Sequence, residues 1–139
     1  MSLRFTVINP DKEIDDATEN DDWVSAFTTA VSYFEYYGAR IIKKRCESLE
    51  IPRYKDIVKN MGVSNIVLIL RLLNMVDRDT YQKIRKTIQE RNKLIHPERG
   101  GIGYRYSKQK DRARELLEDA KECIHQIRQA MEQQRSNES

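Results

Sequence analysis

Cysteine, proline, glycine and tryptophan are all scarce in this chain of 139 residues, which holds two, three, five and one of them. Few prolines and glycines leave too few tight turns for a β-sandwich or barrel. Cys46 and Cys123 cannot supply a disulfide framework; they read as reduced thiols and predict a cytoplasmic protein. No apolar stretch follows a basic start, so no secretory signal is expected. Long hydrophobic runs are missing too. The longest, Ile66 to Leu73, is interrupted by Arg71 and falls far short of the ~20 residues that span a bilayer. The length suits a single domain with one core.

Charge is plentiful, at 34% of residues, but unevenly placed. Residues 11–22 carry seven acids against the single base Lys12. Beyond them stand 23 basic and 15 acidic side chains, so the body of the chain is basic although the whole carries only +3. A basic body is compatible with a polyanionic partner, and equally with an ordinary solvated surface.

The patterning predicts an all-α, up-and-down bundle of four to five helices. Residues 3–8 alternate weakly, as a short strand or extended arm would, and residues 9–21 read as a flexible acidic linker; together they form an N-terminal unit, 1–21. The bundle is expected over 22–133. Trp23, Phe27, Ala30, Phe34, Tyr37 and Ile41 recur at steps of three and four and predict a helix over about 22–48. Pro52 suits the start of a short helix over about 53–61, closed by Gly62. Ser64 is expected to cap a helix over about 65–75 whose apolar residues go nearly all round, as in a central or interfacial helix. Asp77 or Asp79 starts a fourth helix, with Asp79 and Gln82 resembling a capping box, and Pro97 stops it after Ile95. The last helix is expected over about 108–133, with Ala113, Leu116, Ala120, Cys123, Ile127 and Ala130 inward, followed by a polar tail, 134–139.

The candidate chemistry lies at the end of the fourth helix. Tyr81, Ile84, Ile88, Arg91 and Ile95 fall on one stripe, so Arg91 occupies a position where an apolar residue is expected. An inward guanidinium needs a partner or an anion, because a desolvated lone charge is costly. Asn92 stands four residues before His96, a spacing that allows a hydrogen bond fixing the imidazole tautomer. Arginine, asparagine and histidine together suit attack on an RNA phosphodiester. An unperturbed imidazole titrates near ~6.5 and can move the protons at neutral pH, while guanidinium donates to the phosphoryl oxygens. That reaction needs neither metal nor cofactor, and no cluster of carboxylates, cysteines and histidines has ligand spacing. The adjoining stretch alternates Arg99, Tyr104, Arg105 and Tyr106 among glycines, and predicts stacking on unpaired bases and contact with phosphates, or else a plain connector.

Arg91-Asn92-Lys93-Leu94-Ile95-His96 resembles the R-N-x-x-x-H form of the R-x(4–6)-H motif of HEPN domains, small helical bundles among which many are metal-independent endoribonucleases. The resemblance implies that Arg91 and His96 form the catalytic pair, that Asn92 assists, and that two protomers of a homodimer build a composite cleft for RNA. It further implies a toxin or antiviral-defence setting, with an antitoxin or nucleotidyltransferase partner. One position departs: Glu98 stands where toxins of the HEPN–nucleotidyltransferase type commonly carry tyrosine, which sets the chain apart from that subgroup. The alternative is a HEPN-like module that binds RNA, a nucleotide or a protein without turnover.

Other groups read as structural. Cys123-x-His125 has no further ligand nearby, and Cys123 lies on an apolar stripe. Lys43-Lys44-Arg45 suits the negative end of a helix.

Overall fold

The computed structural model describes residues 8–96 and 107–138. The expected arm at 3–7, Glu98, and the candidate RNA contacts Arg99, Tyr104, Arg105 and Tyr106 lie outside them. Six helices follow one another: α1 Pro10–Glu19, α2 Trp23–Ser48, α3 Tyr54–Lys59, α4 Val63–Leu72, α5 Arg78–Ile95 and α6 Ser107–Glu138. No strand occurs among the described residues.

Helix α2 is the centre of the assembly, packed by every other helix. Asp22 caps it, its carboxylate accepting from the Ser25 amide at 3.1 Å. Because neighbours surround it, its buried set exceeds one stripe: Ala26, Val31 and Ile42 join Phe27, Ala30, Phe34 and Ile41. At Gly38 helix α4 packs tightly on α2. A β-carbon there would stand 2.5 Å from Ile66 Cγ2 and 3.2 Å from Leu70 Cδ1.

The acidic segment is not a linker. Asn9 caps α1 by accepting from the Lys12 amide at 3.1 Å, and Pro10 takes the first helical position, where its missing N–H costs nothing. Asp11 and Glu13 sit in the first turn, at the positive end of the helix dipole. One narrow stripe docks the helix: Pro10 and Ile14 are buried and Ala17 is half-buried. Its acids meet side chains of α6, with Asp15 Oδ1 2.7 Å from Lys121 Nζ and Asp11 Oδ2 2.8 Å from His125 Nε2. Asp21, just beyond the helix, lies 3.3 Å from Lys110 Nζ.

Three helices end in the same Schellman hydrogen-bond pattern without glycine. Asp21, Glu50 and Asn74 take positive φ, at 54°, 56° and 57°. Their amides bond to Thr18, Glu47 and Arg71 carbonyls, and the following amides of Asp22, Ile51 and Met75 reach back to Ala17, Cys46 and Leu70.

Two boundaries differ from expectation, and of the two starts offered for the fourth helix one is taken. Ser64 is inside α4 rather than capping it; Gly62, in extended conformation, precedes the helix without a side-chain cap. Helix α5 starts from Asp77, which accepts from the Thr80 amide at 2.7 Å, so Asp79 falls in the first turn and pairs with Lys83 instead of forming a capping box. The presumed tail belongs to α6 through Glu138. Gln134 continues the stripe of Ile127 and Ala130, and can be buried because its amide donates to the Ile41 carbonyl of α2 at 3.0 Å. Helix α4 buries Ile66, Val67 and Leu70 but leaves Leu68 and Leu72 exposed.

Candidate functional site

The inward stripe of α5 is buried at Thr80, Ile84, Thr87 and Ile88, then opens. Tyr81 is half-buried with Arg85 over its ring, Arg91 and Asn92 are half-buried, and Ile95 is exposed. Arg91 therefore stands at the margin between core and solvent, where it keeps part of its hydration. Arg91 Nε donates to Asn92 Oδ1 at 2.9 Å. Asn92 thus holds the guanidinium, rather than the imidazole it was expected to hold through its side chain.

His96 is the C-cap of α5 and leaves helical geometry at φ −125° and ψ 74°, its amide donating to the Asn92 carbonyl at 3.0 Å. Arg91 and Asn92 are thus joined through side chains, and His96 is tied to them through the backbone. The surrounding stretch is cationic: residues 85–96 carry Arg85, Lys86, Arg91 and Lys93 against Glu90 alone. Glu90 lies 3.5 Å from Lys93 Nζ.

The other candidates have structural surroundings. Cys123 is buried and its thiol sits 3.8 Å from the Thr80 carbonyl; burial pushes its pKa up to about 12, so it stays protonated and inert. His125 is exposed and faces Asp11. On the outer face of α6, Asp111 pairs with Arg114 at 3.4 Å and Glu118 with Lys121 at 2.6 Å. Among the described residues no group of three or more His, Cys, Asp or Glu is placed to hold a metal ion, and no helix is long and apolar enough to cross a membrane.

Sequence reasoning missed a groove of ≈ 780 Å³ along α2, lined by Tyr33, Tyr36, Arg40 and Lys43 of α2 and by Val58 and Lys59 of α3. The signal available was the polar face of α2 opposite its aromatic stripe.

The chain matches no family model, no curated protein and no solved structure.

Proposed function

We propose that the chain is a HEPN-like, metal-independent endoribonuclease that cuts single-stranded RNA at a composite site made by two copies. The observation that carries this reading is the Arg91–Asn92 hydrogen bond beside His96, at the point where α5 gives out and its buried stripe meets solvent. Holding Arg91 through Nε leaves its two terminal amino groups to donate to the non-bridging oxygens of a phosphate. An imidazole takes the proton from the ribose 2′-hydroxyl as that oxygen attacks phosphorus. The bond to the 5′-oxygen breaks, that oxygen gains a proton, and the products are a 2′,3′-cyclic phosphate and a 5′-hydroxyl. In this reading two copies share the site: the Arg91 of one protomer meets the His96 of its partner, or the two histidines divide the proton transfers between them. Toxin or defence use, and a cognate antitoxin, belong to the same proposal.

The test is incubation of the purified protein with single-stranded RNA in EDTA. Cleavage leaving cyclic phosphate ends is expected. His96→Ala should lower it by on the order of 10²-fold or more, as loss of a general acid–base does, with the helical circular dichroism unchanged. Cleavage that survives His96→Ala refutes the assignment. The cationic stretch over residues 85–96 also favours a second reading, a module that retains RNA without turnover. Retention with no product at any protein concentration would select it.

A further inference from the structure

Helix α5 carries a polar face that the candidate site does not account for. Arg78, Gln82, Arg85 and Gln89 recur at steps of four, three and four, and Lys86 and Lys93 stand on adjoining positions of the same turns; all six are exposed. From Arg78 to Lys93 they cover roughly 22 Å of helix axis. Asn92, whose side chain holds Arg91, takes the next step of three, and His96 closes the helix. The face therefore leads into the candidate site.

An ordinary solvated helix mixes charges of both signs, as the outer face of α6 does with its Asp111–Arg114 and Glu118–Lys121 pairs. This face of α5 holds cations and neutral amides only. Arg78, Arg85 and Lys86 have no carboxylate partner among the described residues. Arg85 is instead placed over the Tyr81 ring at 5.9 Å, which positions its guanidinium while the residue stays exposed. The acids of α5 are kept to one side. Asp79 and Glu90 stand eleven residues, about three turns, apart, and lie 3.2 Å from Lys83 and 3.5 Å from Lys93. Asp119 and Glu122 of α6 reach the same side: after the hydrogen bond from Asp79, their charges also hold the Lys83 ammonium above its ordinary value. Helix α4, which packs on α5 as well, contains no acid at all.

The chemistry of the face selects its partner. Ile95 is the only exposed apolar residue of α5, so the face has nothing to insert into a lipid surface and no anchor on which a protein interface would centre. Guanidinium, ammonium and amide groups in water suit the phosphates, sugar hydroxyls and base edges of an unpaired strand. We propose that this face of α5 is a binding track for single-stranded RNA, with Arg78, Arg85 and Lys86 on successive phosphates and the amides of Gln82 and Gln89 between them, and that it delivers the strand to Arg91 and His96. The choice of RNA rests on the reading of that site given above; turnover does not enter it.

The test follows the anisotropy of a short labelled single-stranded RNA on the full chain carrying His96→Ala, in EDTA, so that the probe stays whole. The double variant Arg85→Gln, Lys86→Gln should weaken binding at least tenfold at about 0.1 M salt. It should also flatten the slope of log affinity against log salt by about 1.4, the share of two phosphate contacts at roughly 0.7 each on a single strand. The double variant Lys43→Gln, Lys44→Gln removes the same charge from exposed positions of α2, and should cost less than about twofold with the slope unchanged. All four positions are exposed, and unchanged helical circular dichroism checks that both variants fold. Equal losses in the two double variants, no loss in the α5 variant, or no RNA binding at all would overturn the track. So would displacement of the probe by polyglutamate or by duplex RNA as effective as by unlabelled single strand. A chain with His96 intact that fails to cut RNA, while the α5 variant loses binding as expected, removes the nuclease reading and supports the track.

Discussion

Gly38→Ala separates helix propensity from helix packing at a tight contact of α2 with α4. Alanine in a helix interior is favoured over glycine by about 1 kcal/mol, so at an exposed site this change stabilises. At Gly38 the added methyl stands 2.5 Å from Ile66 Cγ2 and 3.2 Å from Leu70 Cδ1. The first contact is well inside van der Waals separation, and a γ-methyl on a β-branched carbon cannot swing aside as the end of a long side chain would. Relief requires α4 to shift or Ile66 to leave its rotamer, and overpacking of this kind costs roughly 1–3 kcal/mol. Packing outweighs propensity, and the net expectation is destabilisation by up to about 2 kcal/mol, or a melting temperature lower by up to roughly 8 °C for a chain of this size. Urea unfolding followed by helical circular dichroism measures it. The same substitution on an Ile66→Ala background should cost less, because the methyl at 2.5 Å is gone and only the 3.2 Å approach to Leu70 Cδ1 still opposes propensity. A stabilising Gly38→Ala in the otherwise unaltered chain, or an equal effect on both backgrounds, would refute the close crossing.

Two further outcomes follow from the helix ends. Glu50 holds φ 56° at the end of α2, so Glu50→Gly should raise stability by about 0.5–1 kcal/mol in the same urea assay by relieving the left-handed strain. Hydrogen bonds from Ser25 and Thr80 hold the Asp22 and Asp77 carboxyls below their ordinary value of 3.8. Their contribution is therefore present above about pH 4 and lost as pH falls through the lowered folded-state values. The double variant Asp22→Asn, Asp77→Asn, which keeps cap acceptors but no titrating group, should show a shallower loss of melting temperature below pH 4.

The long helices were legible because a single physical signal ran through each. The three-and-four spacing from Trp23 to Ile41 marks the buried face of α2, and Asp22 and Pro97 stand where a cap and a stop are expected. Helix α1 was hidden because seven acids within residues 11–22 dominate its composition, while only Pro10, Ile14 and Ala17 turn inward. Three positions is too short a period to separate from chance. The helix ends without glycine were hidden as well, since nothing in Glu50 itself announces a left-handed residue. Gln134 looked like tail because its burial depends on a carbonyl 93 residues away in the chain. At the candidate site the sequence offers the Asn92 side chain two partners, Arg91 and His96, and spacing alone does not choose between them; the structure pairs it with Arg91. For the groove, the polar face of α2 stands in the sequence, while the residues that α3 and α4 add to its lining arrive only through packing.

The charge asymmetry suggests that α1 is an electrostatic strap, and the magnitudes argue otherwise. Its contacts with α6 involve Asp15 and Lys121, at 50% and 14% side-chain exposure, and Asp11 and His125, at 41% and 51%; the adjoining Asp21 and Lys110 are at 55% and 30%. Solvent-exposed pairs of this kind contribute about 0–1 kcal/mol each and weaken with salt. Ile14 is 0% exposed, and truncating a buried isoleucine to alanine costs about 2–5 kcal/mol. One side chain therefore outweighs any one of the charge contacts, and the charges orient a helix that Ile14 holds down. Hydrogen exchange of the α1 amides distinguishes the two accounts. Protection should change less than about fivefold between 0.05 and 1 M sodium chloride, a difference of about 1 kcal/mol. In Ile14→Ala it should fall at least tenfold while the amides of α2 and α5 exchange as before. Loss of α1 protection in high salt with Ile14 intact would mean that the acids, and not the apolar stripe, hold the helix in place.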